Sequence, residues 1–383
     1  MLQLVRSGAA ATTSEIATLM SVARSTVAER IELLVRNGLL VPDGEVALGR
    51  GRPPMRYAFN AGAGLVLAVQ LGMSGSRVAI TDLSAQVLMS RTVDVNLSLG
   101  PHRVFATVLD TLDEHLLAIG AARDQLRGVG LGIPGSTELA AVRTTGRRGP
   151  RQWEAFDVSG HMRGALEVPV YVDQDVNLMA LAEQRSSFPN ARVFACVKVG
   201  TTIGCGIVIN GQVFRGGTGL AGAIAHTPVK GSTAQCDCGN LGCLNATASG
   251  AALVTRLRRA DGESALSARE LSQRAAAGDI EAIQAIRQGG RELGEVLAGV
   301  VNLLNPEALA VWGYLDDAGD YLLAGVRESI YTGALPAASE SVTIAHAALG
   351  DDAGVQGAAT AVLEEILTPS VVDGWIYHAE TRA

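Results

Sequence analysis

Lysine is nearly missing from this chain: only Lys198 and Lys230 stand among its 31 basic residues, the rest being arginine. That imbalance reads as coding bias and not as a functional signal. Long apolar runs are missing as well. No stretch of about 18 uninterrupted apolar residues occurs, so no membrane-spanning helix is expected. The first residues lack a basic segment followed by an apolar stretch and a cleavage site, which argues against secretion and for a cytoplasmic protein. Charged residues make up 18% of the chain and hydrophobic ones 48%, with 45 glycines. This composition excludes a disordered or fibrous chain and fits a globular one rich in turns. Cysteine is scarce, at five residues, and three of them (Cys236, Cys238, Cys243) fall within eight positions. In a cytosolic chain such a cluster points to metal more than to disulfides.

The 383 residues predict two or three domains, each large enough for its own core. A net charge of -7 hides a division after Asn60: residues 1 to 60 carry +2 and the remainder -9. A basic head on an acidic body permits a nucleic-acid partner at the head and argues against one elsewhere.

Within the head, Thr13 to Asn37 reads as two helices. Ile16, Ala17, Leu19 and Met20 give one apolar face, Ser21-Val22-Ala23 breaks it, and Val27, Ile31, Leu34 and Val35 give a second. This is helix-turn-helix spacing, in which the second helix lies in the major groove with its first residues facing base edges. Here those are Arg24, Ser25, Thr26 and Glu29. Arg can bond guanine bidentately, while Ser and Thr reach bases or phosphates. After Asn37-Gly38 a hairpin is expected, with strands over Leu39 to Val46 and Met55 to Phe59 and a turn over Leu48 to Pro54. Its tip, Arg50-Gly51-Arg52-Pro53, suits insertion into a narrow A·T-rich minor groove. Residues 1 to 60 therefore read as a winged helix-turn-helix that binds double-stranded operator DNA.

Strands over Leu65 to Gln70, Val78 to Leu83 and Gln86 to Met89 open the body, and the same strand-turn-strand plan returns at Val193 to Val199, Ile207 to Ile209 and Gln212 to Phe214. The repeat predicts a duplicated two-lobed α/β fold with a cleft between lobes, of the actin-like, ribonuclease H-like kind. From Cys196 onward the stretch VGTTIGCGIVINGQVFRGGTGLAGAIAH, followed by CDCGNLGC, resembles the ROK family of bacterial sugar kinases and sugar-responsive repressors. The resemblance extends to Gly132-Ile133-Pro134-Gly135, VPVYVDQDVN at 168 to 177, VNLLNPEALAVWG at 301 to 313, and LGDDAGVQGAA near the end. It implies a ROK domain over 61 to 383, with lobe one over about 61 to 172 plus the C-terminal helix and lobe two over about 173 to 350. ROK repressors carry a winged helix-turn-helix ahead of this body, and the kinases do not.

Zinc takes four N or S ligands in a tetrahedron, and the three clustered cysteines supply three thiolates on a loop with Gly239 and Gly242. The resemblance implies His226 as the fourth ligand, hence a closed, structural Zn²⁺ site of His226, Cys236, Cys238 and Cys243. Cys196 and Cys205 read as core residues. The resemblance also places the kinase general base at Asp175, whose alternative role is an interdomain hydrogen-bonding carboxylate. Against chemistry, the first phosphate turn reads Gln70-Leu71-Gly72-Met73-Ser74, without the carboxylate that helps hold magnesium in the kinases. The adenosine-side glycine pair is altered to Gly313-Tyr314. No enzyme activity is expected, and no catalytic residue beyond the residual base position Asp175.

The family's sugar-gripping positions fall on Gln174, Asp175, Ala223, His226 and Asn245. Two family carboxylates are here Ala223 and Asn245, so the ligand site is expected to use Gln174, Asp175, His226 and Asn245 for something other than an ordinary hexose, an oligosaccharide or a modified sugar, or to have lapsed with regulation using another input. The expectation is a transcriptional repressor, a homodimer or homotetramer, controlled by a carbohydrate-like effector. The alternatives are an ATP-dependent hexose kinase with an accessory head, and a zinc-stabilised DNA-binding protein without a ligand.

Overall fold

A computed structural model describes residues 1–45, 54–72, 75–95, 97–135, 153, 156–261, 267–313, 315 and 320–382. The head holds α1 (Leu2–Arg6), α2 (Thr13–Met20), α3 (Arg24–Arg36) and an antiparallel pair, β1 (Leu40–Glu45) and β2 (Met55–Phe59). A reciprocal cap starts α2: Thr12 Oγ1 accepts from the Glu15 amide at 3.3 Å, and Glu15 Oε2 accepts from the Thr12 amide at 2.9 Å. Ser21, left-handed at φ 54°, ends it. Sequence reading assigned nothing to α1, whose five residues are too short for periodicity; Leu2 and Val5 are buried by packing. The expected hairpin tip, with Arg50 and Arg52, lies outside the described residues.

The first sheet has the order β5-β4-β3-β6-β7, from β3 (Leu65–Gln70), β4 (Ser76–Asp82), β5 (Val87–Val93), β6 (Leu126–Ile133) and β7 (Val170–Gln174). In the second sheet the order is β10-β9-β8-β11-β12, from β8 (Val193–Val199), β9 (Ile203–Ile209), β10 (Gln212–Val213), β11 (Ala308–Trp312) and β12 (Thr343–His346). In each, the first three strands form an antiparallel meander and the last two run parallel to its first strand. Identical order and orientation make the duplication explicit. The strands β5 and β9 run longer than alternation alone suggested, because pairing with β4 and β8 extends them past the apolar positions.

Helices α4 (Pro101–Ala118) and α5 (Val158–Leu166) belong to the first half. In the second lie α7 (Leu244–Ala248), α8 (Gly250–Asp261), α9 (Ala268–Ala276), α10 (Ile280–Leu304), α11 (Tyr321–Gly333) and α12 (Pro336–Ser341). Between the sheets run α6 (Asp175–Ser187) and α13 (Ala353–Ile366), with α14 (Pro369–Arg382) beyond. The two central helices meet backbone to backbone: a methyl on Gly357 would lie 1.9 Å from the Leu178 carbonyl oxygen. One apolar cluster runs from Ile16, Val27 and Ile31 of the head through Val372 and Ile376 of α14 to Val355 and Val362 of α13. Arg30 of α3 pairs with Asp373 at 3.3 Å, and Gln3 Nε2 donates to the Leu367 carbonyl at 3.1 Å. The head is thus seated on the end of the first half. No helix among the described residues is long and apolar enough to cross a membrane.

Candidate functional site

Burial of Val27, Ile31 and Leu34 turns the opposite side of α3 outward, and Arg24, Ser25, Thr26 and Glu29 are all exposed. The helix starts after Ala23, whose methyl side chain can accept nothing from the first amides. Those amides, with the positive end of the helix dipole, face solvent beside Arg24.

His226, Cys236, Cys238 and Cys243 come together, with ligand atoms all within 4.8 Å of one another, and could hold one metal ion. Cys236 Sγ lies 3.7 Å from His226 Nδ1, and Cys238 Sγ lies 3.6 Å from Cys243 Sγ. The loop is built by tight turns: the Gly239 amide donates to the Cys236 carbonyl at 2.9 Å, with Gly239 at φ +97° and Gly242 at φ +74°. Asn240's amide holds the Cys238 thiol below its ordinary value, whereas burial pushes the Cys243 thiol up to about 12. Cys196 and Cys205 are buried in the second sheet, and desolvation pushes the Cys205 thiol up to about 12.

A cavity of about 450 Å³ opens between the two Gly-containing turns, lined by Gln70 and Gly72 on one side and Gly200, Thr201 and Thr202 on the other. Met73, Ser74 and Tyr314 lie outside the described residues. Asp175 heads α6 and is 4% exposed; its Oδ1 accepts from the Val176 amide at 2.8 Å and its Oδ2 from Lys198 Nζ. The residue read as a mark of coding bias therefore pairs with Asp175. Gln174 Nε2 donates to the Gly219 carbonyl at 3.0 Å, and Asn245 Oδ1 accepts from the Ile203 amide at 2.9 Å. Each of these amides thus has one end fixed, and among the described residues the other end makes no hydrogen bond. No hydrogen bond joins any two of Gln174, Asp175, His226 and Asn245 directly.

Across the junction of the halves, Arg215 Nη2 donates to Asp173 Oδ2 and to the Tyr171 hydroxyl, both at 2.5 Å. Asp173 Oδ1 also accepts from Asn177 Nδ2 at 2.9 Å. Burial, then the Asp173 charge, raises the Tyr171 phenol well above its ordinary range.

Residues 66–365 match the profile of the ROK family. The chain belongs to the ROK family. The xylose repressor of Bacillus subtilis (strain 168) is 24% identical over 347 residues, spanning 90% of this chain and 88% of that protein. A glucokinase of Halalkalibacterium halodurans is 29% identical over 308 residues, spanning 76% of this chain and 92% of its own. Among solved structures, a ROK family transcriptional regulator, a homologue of the E. coli Mlc protein, superposes with a TM-score of 0.79 at 22% identity, covering 98% of this chain and 96% of that one.

Three groups of this ROK chain escaped sequence reading. Lys198 pairs with a residue 23 positions earlier, and its one usable signal was rarity, which composition alone explains equally well. Arg215 and Asp173 meet across 42 positions, and nothing local marks that contact.

Proposed function

We propose that the chain is a DNA-binding transcriptional regulator, acting as a repressor, with a carbohydrate-like effector in its cleft and one structural zinc ion. The observation that carries this reading is the head. Its α3 presents Arg24, Ser25, Thr26 and Glu29 on an exposed, uncapped N-terminus followed by an antiparallel hairpin. The ROK family regulator structure covers 98% of this chain, too much to omit a 60-residue head, while the glucokinase relative leaves about a quarter of the chain unmatched. On this reading residues 1–60 are a winged helix-turn-helix and residues 61–383 the sensing body. Arg24 donates to a guanine, Glu29 accepts from a cytosine amino group, and the first amides of α3 hold a phosphate. Arg50 and Arg52 enter the adjoining minor groove.

Zinc suits the donor set. At metal distances of about 2.3 Å to sulfur and 2.0–2.1 Å to nitrogen, a tetrahedron has edges of roughly 3.5–3.8 Å. The 3.6 and 3.7 Å separations match such edges. Four protein ligands leave no open position, so the ion contributes stability and not reaction chemistry. His226, bound through Nδ1, keeps Nε2 for a ligand hydroxyl.

The response travels from cleft to head along α13 and α14. Asp351 lines the cavity in the short turn that precedes α13, and Val372 and Ile376 of α14 share the head's core. A change of lobe angle therefore moves α3, and in a homodimer or homotetramer it moves two heads out of register with half-sites about one helical turn apart. Kinase activity is absent on this reading, because Lys198 blocks Asp175.

The test is selection of an operator by the full chain, followed by quantitative binding. Arg24→Ala is expected to weaken operator binding by about 1–3 kcal/mol and to relax preference at one base pair, whereas Arg52→Ala loses preference for A·T-rich flanks. Wild-type binding by both variants would overturn the groove assignment. ATP-dependent phosphorylation of a sugar, abolished in Asp175→Asn, would establish the kinase reading instead.

A further inference from the structure

Among the described residues the cavity lining holds three cationic side chains, Arg77, Lys198 and Arg269, and one carboxylate, Asp351. Two of the cations are anchored from behind: Arg77 Nε donates to Asp352 at 2.7 Å, and Lys198 is tied to Asp175. Lys198 lines the open space and the buried Asp175 does not, so the ammonium stands between the carboxylate and any occupant of the cavity. An ammonium has three donors and Asp175 takes one. Beside it the turn after β8 is closed by the Gly200 amide on the Thr202 carbonyl at 3.1 Å. Among the described residues the amides of Thr201 and Thr202 make no hydrogen bond, and both residues are exposed at the cavity wall. Unspent backbone amides next to a fixed ammonium suit a compact oxyanion better than a neutral hydroxyl, which must also donate a proton.

We propose that the effector is an anionic sugar derivative, a polyol carrying a phosphate or a carboxylate, and that Lys198 is the residue selecting the anion. This deepens the regulator reading and rests on it. The oxyanion sits against Lys198 and the Thr201–Thr202 turn without a divalent metal, and the polyol extends along the facing wall of Gln70 and Gly72. Lys198 thereby serves two ends: it withholds the base from chemistry and it supplies the charge that binding needs. Anchored cations are already positioned before the ligand arrives, which spares the ordering cost of binding.

Glucose, glucose 6-phosphate, gluconate and inorganic phosphate are titrated by calorimetry into the zinc-loaded full chain in magnesium-free buffer without chelator, and operator binding is followed by anisotropy. The expected result is that glucose 6-phosphate or gluconate binds roughly tenfold or more tighter than glucose, which also identifies phosphate or carboxylate as the anion. Lys198→Met is expected to erase that advantage, and Lys198→Arg to keep part of it. Should Lys198→Met misfold for want of a partner for Asp175, the double variant Asp175→Asn with Lys198→Met removes the pair without leaving a buried charge. Glucose binding as tightly as both acids would overturn the proposal, as would an advantage that survives Lys198→Met. Inorganic phosphate matching glucose 6-phosphate would reduce the site to an unspecific anion contact. Operator binding unmoved by every probe sinks the anionic effector and leaves the repressor standing; anion binding without any operator sinks the repressor alone.

Discussion

The two five-stranded sheets share one strand order and one set of orientations, but their attachments differ. In the first half the apolar cluster runs out through α13 and α14 into the head, so this half is continuous with the DNA reader. The second half instead carries the Cys and His loop and a separate cluster built on α10 and α11. Between them α6 gives Leu178 and Leu181 to the head-side cluster and Met179 and Ala180 to the second sheet. Ion pairs also join the halves, Arg215 with Asp173 and Lys198 with Asp175. The lesson is that a duplicated frame acquires a division of labour from what is bolted to each copy.

That contrast breaks most visibly at the metal loop. Cys238→Ser leaves three ligands, and since a structural metal contributes folding energy directly, the second half is expected to lose about 3 kcal/mol or more and to melt before the first. Zinc content and calorimetry check this: the expected profile is two resolved transitions where the wild type has one. Unchanged zinc content with an unchanged melting profile would refute the centre.

The first half is probed through α14. Ile376 is 3% exposed and packs in the cluster that joins the head to α13. Truncation to alanine is expected to cost about 2–4 kcal/mol of head docking and to blunt effector control of operator binding, with zinc content unaltered. Hydrogen exchange in α2 and α3 reads the docking. Operator release that responds to effector as in wild type would show that the signal does not use this path.

The sheets were legible because meanders announce themselves: apolar runs at Leu65–Gln70 and Val193–Val199, each followed by a Gly-containing turn, fix local pairing without long-range information. The helix pair was legible for the same reason, from the period of Ile16, Val27 and Ile31. Illegible were the contacts that close over distance. The sequence-distant partners Lys198 and Asp175, or Arg30 and Asp373, carry no mark of each other in their neighbours. Even the family resemblance, which pointed to Asp175 and to His226 beside the three cysteines, pointed away from Lys198, because a resemblance transfers positions that match and is silent on those that do not.

The smallest expected effect also separates the halves, by pH. His115 on α4 packs against the first sheet, is 3% exposed, and among the described residues its Nδ1 has no hydrogen-bond partner. Burial, reinforced by the nearby Arg91 charge, holds its imidazolium pKa below the ordinary value. The unfolded chain therefore takes up a proton at higher pH than the folded one, and stability contributed by neutral His115 is complete above about pH 6.5 and falls as pH drops below it. Lowering pH from roughly 7.5 to 5.5, a range above most carboxylate titrations, is expected to lower the melting temperature of the first half by a few degrees. His115→Leu keeps an apolar side chain in the site and removes the titrating group, so its melting temperature is expected to fall less over the same interval. Parallel loss in wild type and variant would assign the acid sensitivity elsewhere, to groups whose protonation weakens both halves alike.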